Sequence, residues 1–241
     1  MSTVPDASVS DLRETTMLYA QSVRIDKLFH DRICSSALFR LQLRLKRFFD
    51  VLIGGILLVI LSPLLLVAFL AVRLTSPGPS IFSQWRWGLD ERQFRFYKIR
   101  TMYTDQASRL GREQSQDEKD RGILLKLKND PRVTRVGAVL RRTSIDELPQ
   151  LFNVLRGDMS IVGPRPAPIH VMEPFPEIRA VRSVVRPGLT GLWQIRNRAK
   201  NTSIMCHIAD DVEYIANLSL WLDLKILLAT PLELVRGTGA Y

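Results

Sequence analysis

Asp146 and Glu147 are adjacent carboxylates that lie between two stretches rich in arginine and lysine. Residues 121–142 hold seven basic side chains and one acidic one, and residues 179–200 hold six basic side chains and no acidic one. Arginine side chains bind phosphate through two parallel hydrogen bonds. A carboxylate among them can attack phosphorus or hold a divalent cation that screens phosphate charge. The pattern therefore predicts a site that handles phosphate groups.

A structural interpretation of the same two carboxylates stays open. Ser144 and Glu147 have the spacing of a capping box, so the pair could simply begin a helix. The two interpretations are compatible, because the N-terminus of a helix stabilises anions. Such a position would keep Asp146 ionised as a nucleophile and would also attract phosphate.

A second candidate is Arg165, within the run Gly163-Pro164-Arg165-Pro166. Pro164 and Pro166 fix the backbone on both sides of the arginine. A rigid mount suits an arginine that has to hold a phosphate in one position. The alternative is an ordinary surface turn that carries an arginine.

The hydrophobic segment 51–72 contains 22 residues without a charge. At about 1.5 Å per residue it could cross a bilayer core roughly 30 Å thick. Ser62-Pro63 at its midpoint predicts a kink, and Lys46 and Arg73 place positive charge at both ends. These features favour a re-entrant helix broken at Ser62-Pro63, with the Ser62 hydroxyl capping a freed carbonyl. A kinked spanning helix is the alternative.

The residues before this segment predict an amphipathic helix at an anionic membrane surface. Basic side chains alternate with apolar side chains at helical spacing, and the apolar ones are Leu38, Leu41, Leu45, Phe48 and Leu52. The breaker at residues 75–79 then marks a boundary. We therefore divide the chain into an N-terminal, partly helical extension (1–45), a membrane helix (46–73) and a cytosolic catalytic domain (74–241).

The remainder predicts a mostly α fold with a small β-hairpin. Two alternating runs flank the turn at residues 88–91, which is typical of a hairpin. Ile208, Val212 and Ile215 mark one face of a helix, and a second apolar helix is predicted from Ser219. The expected architecture is a re-entrant membrane helix and a compact cytosolic domain with interfacial amphipathic helices.

Composition narrows the partners without selecting one. The 241 residues carry a formal net charge of +10 and are 46% hydrophobic, so the chain can bury a core and favours polyanions. Cys34 and Cys206 belong to no metal-spaced cluster, which argues against a zinc site and for a reduced environment.

The chain resembles the monotopic phosphoglycosyl transferases, the bacterial sugar transferase family, from about Lys46 to the C-terminus. The resemblance rests on short motifs that occur in the family's order. They are Lys46-Arg47-Phe48-Phe49-Asp50, Ser62-Pro63, Thr75-Ser76-Pro77-Gly78-Pro79, Gln84-x-Arg86-x-Gly88, Tyr97-Lys98-x-Arg100-Thr101-Met102, Asp130-Pro131-Arg132-Val133-Thr134, Asp146-Glu147, Gly163-Pro164-Arg165-Pro166, Arg186-Pro187-Gly188-Leu189-Thr190-Gly191 and Trp221-Leu222-Asp223-Leu224-Lys225.

This resemblance implies a re-entrant helix and a chemical role for each matched residue. Asp146 matches the nucleophile that takes the phospho-sugar covalently, and Glu147 matches the carboxylate associated with Mg²⁺. Arg141 and Arg165 match phosphate-contacting arginines, with Lys98 as a further substrate-binding candidate. The two prolines beside Arg165, Pro164 and Pro166, belong to the same substrate-binding set.

The resemblance also implies the substrates and the location. The donor would be a UDP-sugar, the acceptor undecaprenyl phosphate, and the product UMP, in the first membrane step of exopolysaccharide or other glycoconjugate synthesis. The catalytic domain would face the cytoplasm at the bacterial inner membrane, beside anionic lipids. The C-terminal Gly239-Ala240-Tyr241 is similar to members that use galactose or glucose. The oligomeric state stays open, a homo-oligomer included.

A second class of function is a membrane-tethered protein that binds nucleic acid or anionic lipid. The net charge of +10 allows it. However, no recognised nucleic-acid motif occurs, and the arginines gather around carboxylates that would repel a phosphate backbone, so we expect no nucleic-acid partner. Such a binder should lose affinity steeply with salt and should tolerate Asp146→Asn.

Overall fold

A computed structural model describes residues 23–105, 130–197 and 204–235 of the chain. The first 22 residues of the N-terminal extension and the tripeptide Gly239-Ala240-Tyr241 lie outside the described residues. Within them the chain is mostly helical, with one antiparallel and one parallel pair of strands. The predicted mostly α class is therefore confirmed.

The chain enters the described region as a helix, α1, over residues 23–35, and continues into the long helix α2, Ala37–Thr75. The Ser36 hydroxyl caps α2 by accepting a hydrogen bond from the backbone N–H of Phe39 at 3.2 Å. α2 contains 39 residues and is long and apolar enough to cross a membrane. Most of its apolar side chains are exposed, which is unusual for a helix in water.

α2 stays helical through Ser62 and Pro63, so the break predicted at these residues is not observed. Proline has no N–H to donate to the carbonyl four residues earlier, which here is that of Val59. The Ser62 hydroxyl donates to this Val59 carbonyl at 2.8 Å. The predicted capping of a freed carbonyl by Ser62 is therefore confirmed.

The predicted β-hairpin is also confirmed. Strands β1 (Ile81–Trp87) and β2 (Gln93–Ile99) pair in antiparallel register. Asp90 lies in the turn with φ of 52°, a left-handed conformation that aspartate tolerates better than most residues. Phe94 and Phe96 point from β2 into the core, so one face of the hairpin is buried.

The rest of the catalytic domain is made of short helices around a pair of three-residue strands. In chain order these are α3 (Arg135–Thr143), a 3-10 turn (Ile145–Glu147), α4 (Gln150–Arg156), β3 (Ser160–Val162), α5 (Ile169–Met172), α6 (Pro176–Arg182), β4 (Gly188–Thr190), α7 (Leu192–Asn197), α8 (Ile204–Ala216) and α9 (Leu220–Val235). The two predicted C-terminal helices correspond to α8 and α9. Ser219 caps α9 by accepting from the N–H of Leu222 at 3.2 Å.

The parallel pairing of β3 with β4 is an addition to the predicted fold. The backbones approach so closely that a Cβ on Gly188 would lie 2.1 Å from the backbone nitrogen of Gly163. Only glycine permits this approach. The pair places the segment that follows β3, which contains Arg165, beside the centre of the domain.

Both halves of α2 pack against this one domain. In the first half, the buried Asp50 accepts hydrogen bonds from the Ser160 hydroxyl and the Ile161 N–H, each at 2.9 Å. In the second half, three apolar side chains are buried with Ile99 of β2 and Leu140 of α3. These three are Leu65, Ala68 and Val72. α2 is therefore part of the domain's core on both sides of Pro63.

Candidate active site

The two adjacent carboxylates lie in the turn between α3 and α4. α3 ends at Ser144, whose left-handed backbone (φ 57°) turns the chain into the 3-10 turn that carries Asp146 and Glu147. Ser144 occupies the N-cap position of this turn, so the two carboxylates do begin a short helix, but the Ser144 side chain makes no capping hydrogen bond to it. The carboxylates face the hairpin, where a lysine contacts both.

Lys98, at the end of β2, joins the two carboxylates. Its Nζ lies 2.7 Å from Oε1 of Glu147 and 3.7 Å from Oδ2 of Asp146. Asp146 is only 6% exposed. Burial raises the pKa of the Asp146 carboxyl, and the charge of Glu147 raises it further, while the charges of Lys98 and Arg141 lower it. The lysine therefore favours the ionised form of a carboxylate that burial disfavours.

Arg141 lies in the last turn of α3, one turn before the carboxylates. Its Nε donates to the Thr101 hydroxyl at 2.9 Å, which fixes the guanidinium beside the start of the site. Burial lowers the pKa of Arg141, and the charge of Asp146 opposes this shift. The structure thus brings Arg141 close to Asp146, as the sequence predicted.

Arg165 reaches the site from the segment after β3. Its guanidinium lies 4.5 Å from the ring centre of Trp193, and one of its nitrogens lies 3.9 Å from Oε1 of Glu147. Stacking on the indole limits the orientations of the guanidinium plane. The side chain is half-exposed, so its guanidinium is accessible to an anion.

The backbone of this segment is held by an ion pair between α6 and α8. Asp211, fully buried in α8, pairs with Arg182 of α6 at 2.6 Å. Arg182 also donates to the Arg165 carbonyl at 2.6 Å, and the Arg165 N–H donates to Asp211 at 3.4 Å. Both backbone groups of Arg165 are therefore bonded to one buried ion pair, so its rigid mount has a source beyond the two prolines.

A cavity opens between the hairpin, α4 and the Arg165 segment. Its polar lining includes three cations, a carboxylate and two amides, beside a proline: Arg86, Lys98, Arg165, Glu147, Gln150, Gln194 and Pro166. Pro164 lies on a neighbouring cavity together with Trp87 and Arg182. The structure thus separates the two prolines predicted to bind substrate, and only Pro166 contacts the cavity beside Glu147.

Arg86 is a cavity residue that sequence reasoning did not select. It donates to the Pro166 carbonyl at 2.9 Å and to the Gln84 side chain at 2.8 Å. Burial, with a smaller contribution from the charge of Arg165, lowers the pKa of Arg86 to about 10. The motif Gln84-x-Arg86-x-Gly88 contained the signal, since it places an arginine among the inward residues of the hairpin.

Asp211 and Gln150 were missed as well, and the sequence signals for them differ. Asp211 lies on the apolar face of α8 between Ile208 and Ile215, and a carboxylate at such a position indicates a buried partner. Gln150 follows Asp146 by four residues in the sequence, but nothing in its residue type distinguished it from an ordinary surface glutamine.

The site offers Mg²⁺ a limited set of ligands. Over residues 23–105, 130–197 and 204–235, no cluster of three or more His, Cys, Asp or Glu side chains occurs. Asp146 and Glu147 supply two adjacent carboxylates. Enzymes that act on phosphates commonly hold Mg²⁺ with one or two carboxylates, water and the substrate's own oxygens. The residues therefore fit a magnesium ion that binds together with a phosphorylated substrate.

Comparison with known proteins agrees with the site. Residues 41–237 match the family described as "Bacterial sugar transferase". The chain is 46% identical to the UDP-glucose:undecaprenyl-phosphate glucose-1-phosphate transferase of Caulobacter vibrioides, over 81% of this chain and 72% of that protein. It is 41% identical to the exopolysaccharide production protein PSS of Rhizobium leguminosarum, over 83% of this chain and 100% of that protein.

A third relative is longer than this chain. The galactosyl transferase CpsE of Streptococcus agalactiae is 40% identical over 81% of this chain but only 43% of its own length. The chain thus corresponds to less than half of that protein and to the whole of the Rhizobium one. Because the family match covers most of the chain and the identities exceed 40% over long stretches, the chain belongs to the bacterial sugar transferase family.

Proposed function

We propose that this protein transfers a sugar 1-phosphate from a UDP-sugar to undecaprenyl phosphate and releases UMP. The observation that carries the proposal is the buried Asp146, which lies in contact with Lys98 and near Arg141, next to a cavity lined by Arg86 and Arg165 that can bind phosphate. The relative from Caulobacter is named for this reaction with glucose. The reaction would be the first membrane step of exopolysaccharide or other glycoconjugate synthesis.

In the first proposed step, the Asp146 carboxylate attacks the phosphorus atom that carries the sugar. The bond from this phosphorus to the oxygen of the UMP moiety breaks, and UMP leaves with the electron pair of that bond. The product is a phospho-sugar joined covalently to Asp146. Lys98 keeps the carboxylate ionised before attack, and Arg141 and Arg165 stabilise charge on the phosphoryl oxygens.

In the second proposed step, an oxygen of the lipid phosphate attacks the same phosphorus. The bond to Asp146 breaks, the carboxylate is regenerated, and the sugar is left on a lipid diphosphate. Splitting the transfer in two lets both anionic substrates use the same cationic cavity in turn. Positioning and charge stabilisation carry most phosphoryl-transfer catalysis, which fits a site with several cations and no general base.

Magnesium completes the proposed site. Glu147 would hold the ion, together with oxygens of the bound substrate, as its donor chemistry allows. When bound, Mg²⁺ would screen the negative charge of the phosphate groups. The residues of the chain then bind and orient the substrate as described.

We further propose that α2 is re-entrant and that the catalytic domain lies on the cytoplasmic face of the inner membrane. A straight helix over residues 51–72 would be about 33 Å long, and its ends would reach opposite faces of a bilayer. Yet Asp50 and Val72, at either end, both pack against the same domain. A single domain cannot occupy both faces, so this packing supports a helix that enters and leaves on one side.

Two exposed apolar stripes support contact with the surface of a membrane of anionic lipids. One lies on the first half of α2, where every predicted apolar position is at least 40% exposed: Leu38, Leu41, Leu45, Phe48 and Leu52. The other lies on α9 and comprises Trp221, Leu224, Leu228 and Leu232. Lys46 and Asp223 join the two helices through an ion pair at 2.8 Å. We propose that both are interfacial helices.

The experiment that tests the function is UMP release by the purified full chain in lipid. The protein is given Mg²⁺, undecaprenyl phosphate and a panel of UDP-sugars that includes UDP-glucose and UDP-galactose, with Asp146→Asn as the control. Release with one sugar, abolished in the variant, would support the reaction and identify the donor. A folded protein that releases no UMP from any donor would refute the proposal and make nucleic-acid binding the next assay.

A further inference from the structure

The Gln150 side chain is buried in the cavity wall without a partner for its amide. It is only 2% exposed, and its Nε2 makes no hydrogen bond with any described residue. Buried amide nitrogens in folded proteins nearly always donate to something, because an orphaned donor is destabilising. An unpaired amide in the wall of a polar cavity therefore indicates a ligand that completes it.

Two acceptors in the cavity lining already receive hydrogen bonds from other residues. The Pro166 carbonyl accepts from Arg86, and Oε1 of Glu147 accepts from Lys98. A second glutamine in the cavity wall, Gln194, satisfies its own amide by donating to the Leu189 carbonyl at 3.1 Å. Of these two glutamines, only Gln150 therefore has a side-chain amide nitrogen without a hydrogen-bond acceptor.

The cavity as a whole has more donors than acceptors. The Nε of Arg86 is also buried without a partner among the described residues, and its burial lowers the pKa of this guanidinium to about 10. Lys98 and Arg165 add further N–H groups to the same lining. The group that complements this wall has several acceptor oxygens and a negative charge, which is the chemistry of a phosphoryl group.

Gln150 is also close to the reacting centre along the chain. It is the first residue of α4 and follows Asp146 by four residues, with only Leu148 and Pro149 between it and the 3-10 turn. In space, Gln150 lines the same cavity as Arg165 and Glu147, so a phosphoryl group bound there by Arg165 would lie near this amide. The amide of Gln150 is a neutral hydrogen-bond donor, whereas Lys98 and Arg165 are charged donors and the Glu147 carboxylate is an acceptor.

We propose that Gln150 is a substrate-binding residue whose amide donates a hydrogen bond to a phosphoryl oxygen of the nucleotide sugar or of the lipid phosphate. The assignment rests on the proposed function for the identity of these substrates. Its chemistry, a neutral donor for a phosphoryl oxygen, rests on the cavity itself. Gln150 would orient the phosphorus for attack without adding a charge that slows the release of products.

The test compares Gln150→Met with Gln93→Met in the full chain in lipid, using UDP as the binding probe. Methionine keeps the volume of glutamine and removes the amide, and Gln93 is an exposed glutamine at the start of β2. We expect Gln150→Met to weaken UDP binding by roughly tenfold or more, since a hydrogen bond to a charged group is lost. Gln93→Met should bind UDP like the wild type.

Thermal unfolding of the unliganded protein separates binding from structure. If Gln150 binds substrate, Gln150→Met should unfold at the same temperature as the wild type or higher, because an orphaned amide has been removed. A glutamine that merely supports the fold would instead lower the unfolding temperature and leave UDP affinity unchanged. That second pattern would overturn the assignment.

Turnover then identifies which substrate uses the amide. A weaker UDP affinity with a raised KM for the UDP-sugar assigns the contact to the donor, whereas unchanged UDP affinity with a raised KM for undecaprenyl phosphate assigns it to the acceptor.

If the wild type releases UMP and Gln150→Met matches it in every constant, only this inference fails. If the wild type binds UDP but releases no UMP, the proposed function fails and UDP affinity still decides the role of Gln150. Failure of the wild type to bind UDP would overturn both.

Discussion

At the scale of single residues, the site is organised around a carboxylate that is buried and yet has to be ionised to react. Burial raises the pKa of Asp146, and Lys98 is the largest of the influences that lower it. Only the ionised form is a nucleophile, so turnover should fall as the pH drops through the pKa of Asp146 in the folded protein. The acid limb of the activity profile therefore reports the environment of this one group.

Replacing Lys98 with glutamine should move that acid limb to higher pH. Without the ammonium charge the pKa of Asp146 rises further, so a higher pH is needed to ionise it. The measurement is the rate of UMP release between pH 5 and pH 9, with Lys27→Gln, at an exposed lysine of α1, as the control. A uniform loss of rate with an unmoved limb would show that Lys98 acts only on the substrate.

Replacing Arg165 with alanine should lower turnover on the order of a hundredfold, as expected for the loss of one phosphate-stabilising group. The side chain is 43% exposed and lies against Trp193, so its removal should change the free energy of unfolding by less than about 1 kcal/mol. UMP release and thermal unfolding, measured on the same preparation, check both statements. Unaltered turnover would refute the role of Arg165 as a phosphate clamp.

The sequence predicted most of the charged residues at the site, although not Arg86 or Asp211, and it did not predict the neutral Gln150. Charged side chains in short motifs have few structural reasons to occur, so they could be selected as candidates. The structure places five such candidates at the site: Asp146, Glu147, Lys98, Arg141 and Arg165. An orphaned amide is a property of a folded environment, and no residue type or spacing encodes it. Gln150 could therefore be recognised only once its surroundings were known.

At the scale of elements, α6 and α8 together hold the Arg165 segment through Arg182 and Asp211. Burial raises the pKa of Asp211 to about 6, against the lowering influence of Arg182. This pair is the one contact that bonds both backbone groups of Arg165, so the position of the clamp depends on helix packing.

Replacing Asp211 with asparagine should change how stability depends on pH. The pKa of Asp211 is higher in the folded protein than the ordinary 3.8, so the folded state binds more protons between about pH 3.8 and about pH 6. The contribution of this titration to stability is therefore present below that window and is lost as the pH rises through it.

The measurement is the unfolding temperature of the wild type and of Asp211→Asn at several pH values from 4 to 7. The stability of the wild type relative to the variant should decline as the pH rises from 4 to 6 and should then level off. Asp90→Asn, at an exposed aspartate of the hairpin turn, is the matched control. A difference between wild type and Asp211→Asn that stays constant with pH would contradict the assignment.

The topology of α2 can be tested with a thiol reagent that does not cross membranes. Cys34 is exposed before α2, and Thr75 is exposed at its end. We expect Cys34 in a Cys206→Ser chain, and Thr75→Cys in a chain without other cysteines, to react from the same side. That side should be the cytoplasmic face, which inside-out vesicles expose and intact spheroplasts conceal.

The opposite pattern would identify a spanning helix. If Cys34 reacted in inside-out vesicles and Thr75→Cys only in spheroplasts, the ends of α2 would lie on different faces of the membrane. The re-entrant arrangement would then be wrong, and the packing of Val72 against Ile99 would have to rearrange in the bilayer. Detergent-solubilised protein, in which both thiols should react, controls for accessibility.

The helices and the hairpin followed from sequence because their signals are local. Apolar spacing defined α8 and α9, and alternation around a turn defined β1 and β2. β3 and β4 were not predicted, since each has three residues and is bordered by glycine and proline, which are typical of turns. Their pairing joins positions about 28 residues apart, which no local pattern reveals.

At the scale of the whole molecule, the membrane helix and the catalytic domain share one interior. Asp50 is bonded to β3, and the cluster that contains Leu65 and Val72 includes Ile99 and Leu140. The boundary after residue 73, which the breaker motif predicts, therefore divides the chain by composition while the packing continues across it. The net charge of +10 adds attraction of the whole domain to an anionic surface.

Removal of residues 1–73 should leave a chain that does not fold. The deletion exposes the apolar surfaces that pack on α2 and leaves the Ile161 N–H without its acceptor, Asp50. Circular dichroism and size-exclusion chromatography of the refolded fragment check this outcome. A monomeric fragment with a cooperative unfolding transition would show that α2 is only an anchor.

In the proposed arrangement α2 lies in the bilayer and also belongs to the core of the domain, so this helix could not be exchanged between relatives independently of the rest of the chain. Consider a chimera that takes its first 73 residues from one member and the remainder from another. Its Asp50 would have to accept hydrogen bonds from β3 of the other member, and its Leu65 would have to fit the apolar cluster of that member. Solubilising such an enzyme calls for polar residues on the outward side of the helix, at positions such as Val59 and Val67. During evolution, substitutions in α2 and in the part of the domain that packs against it should therefore compensate one another.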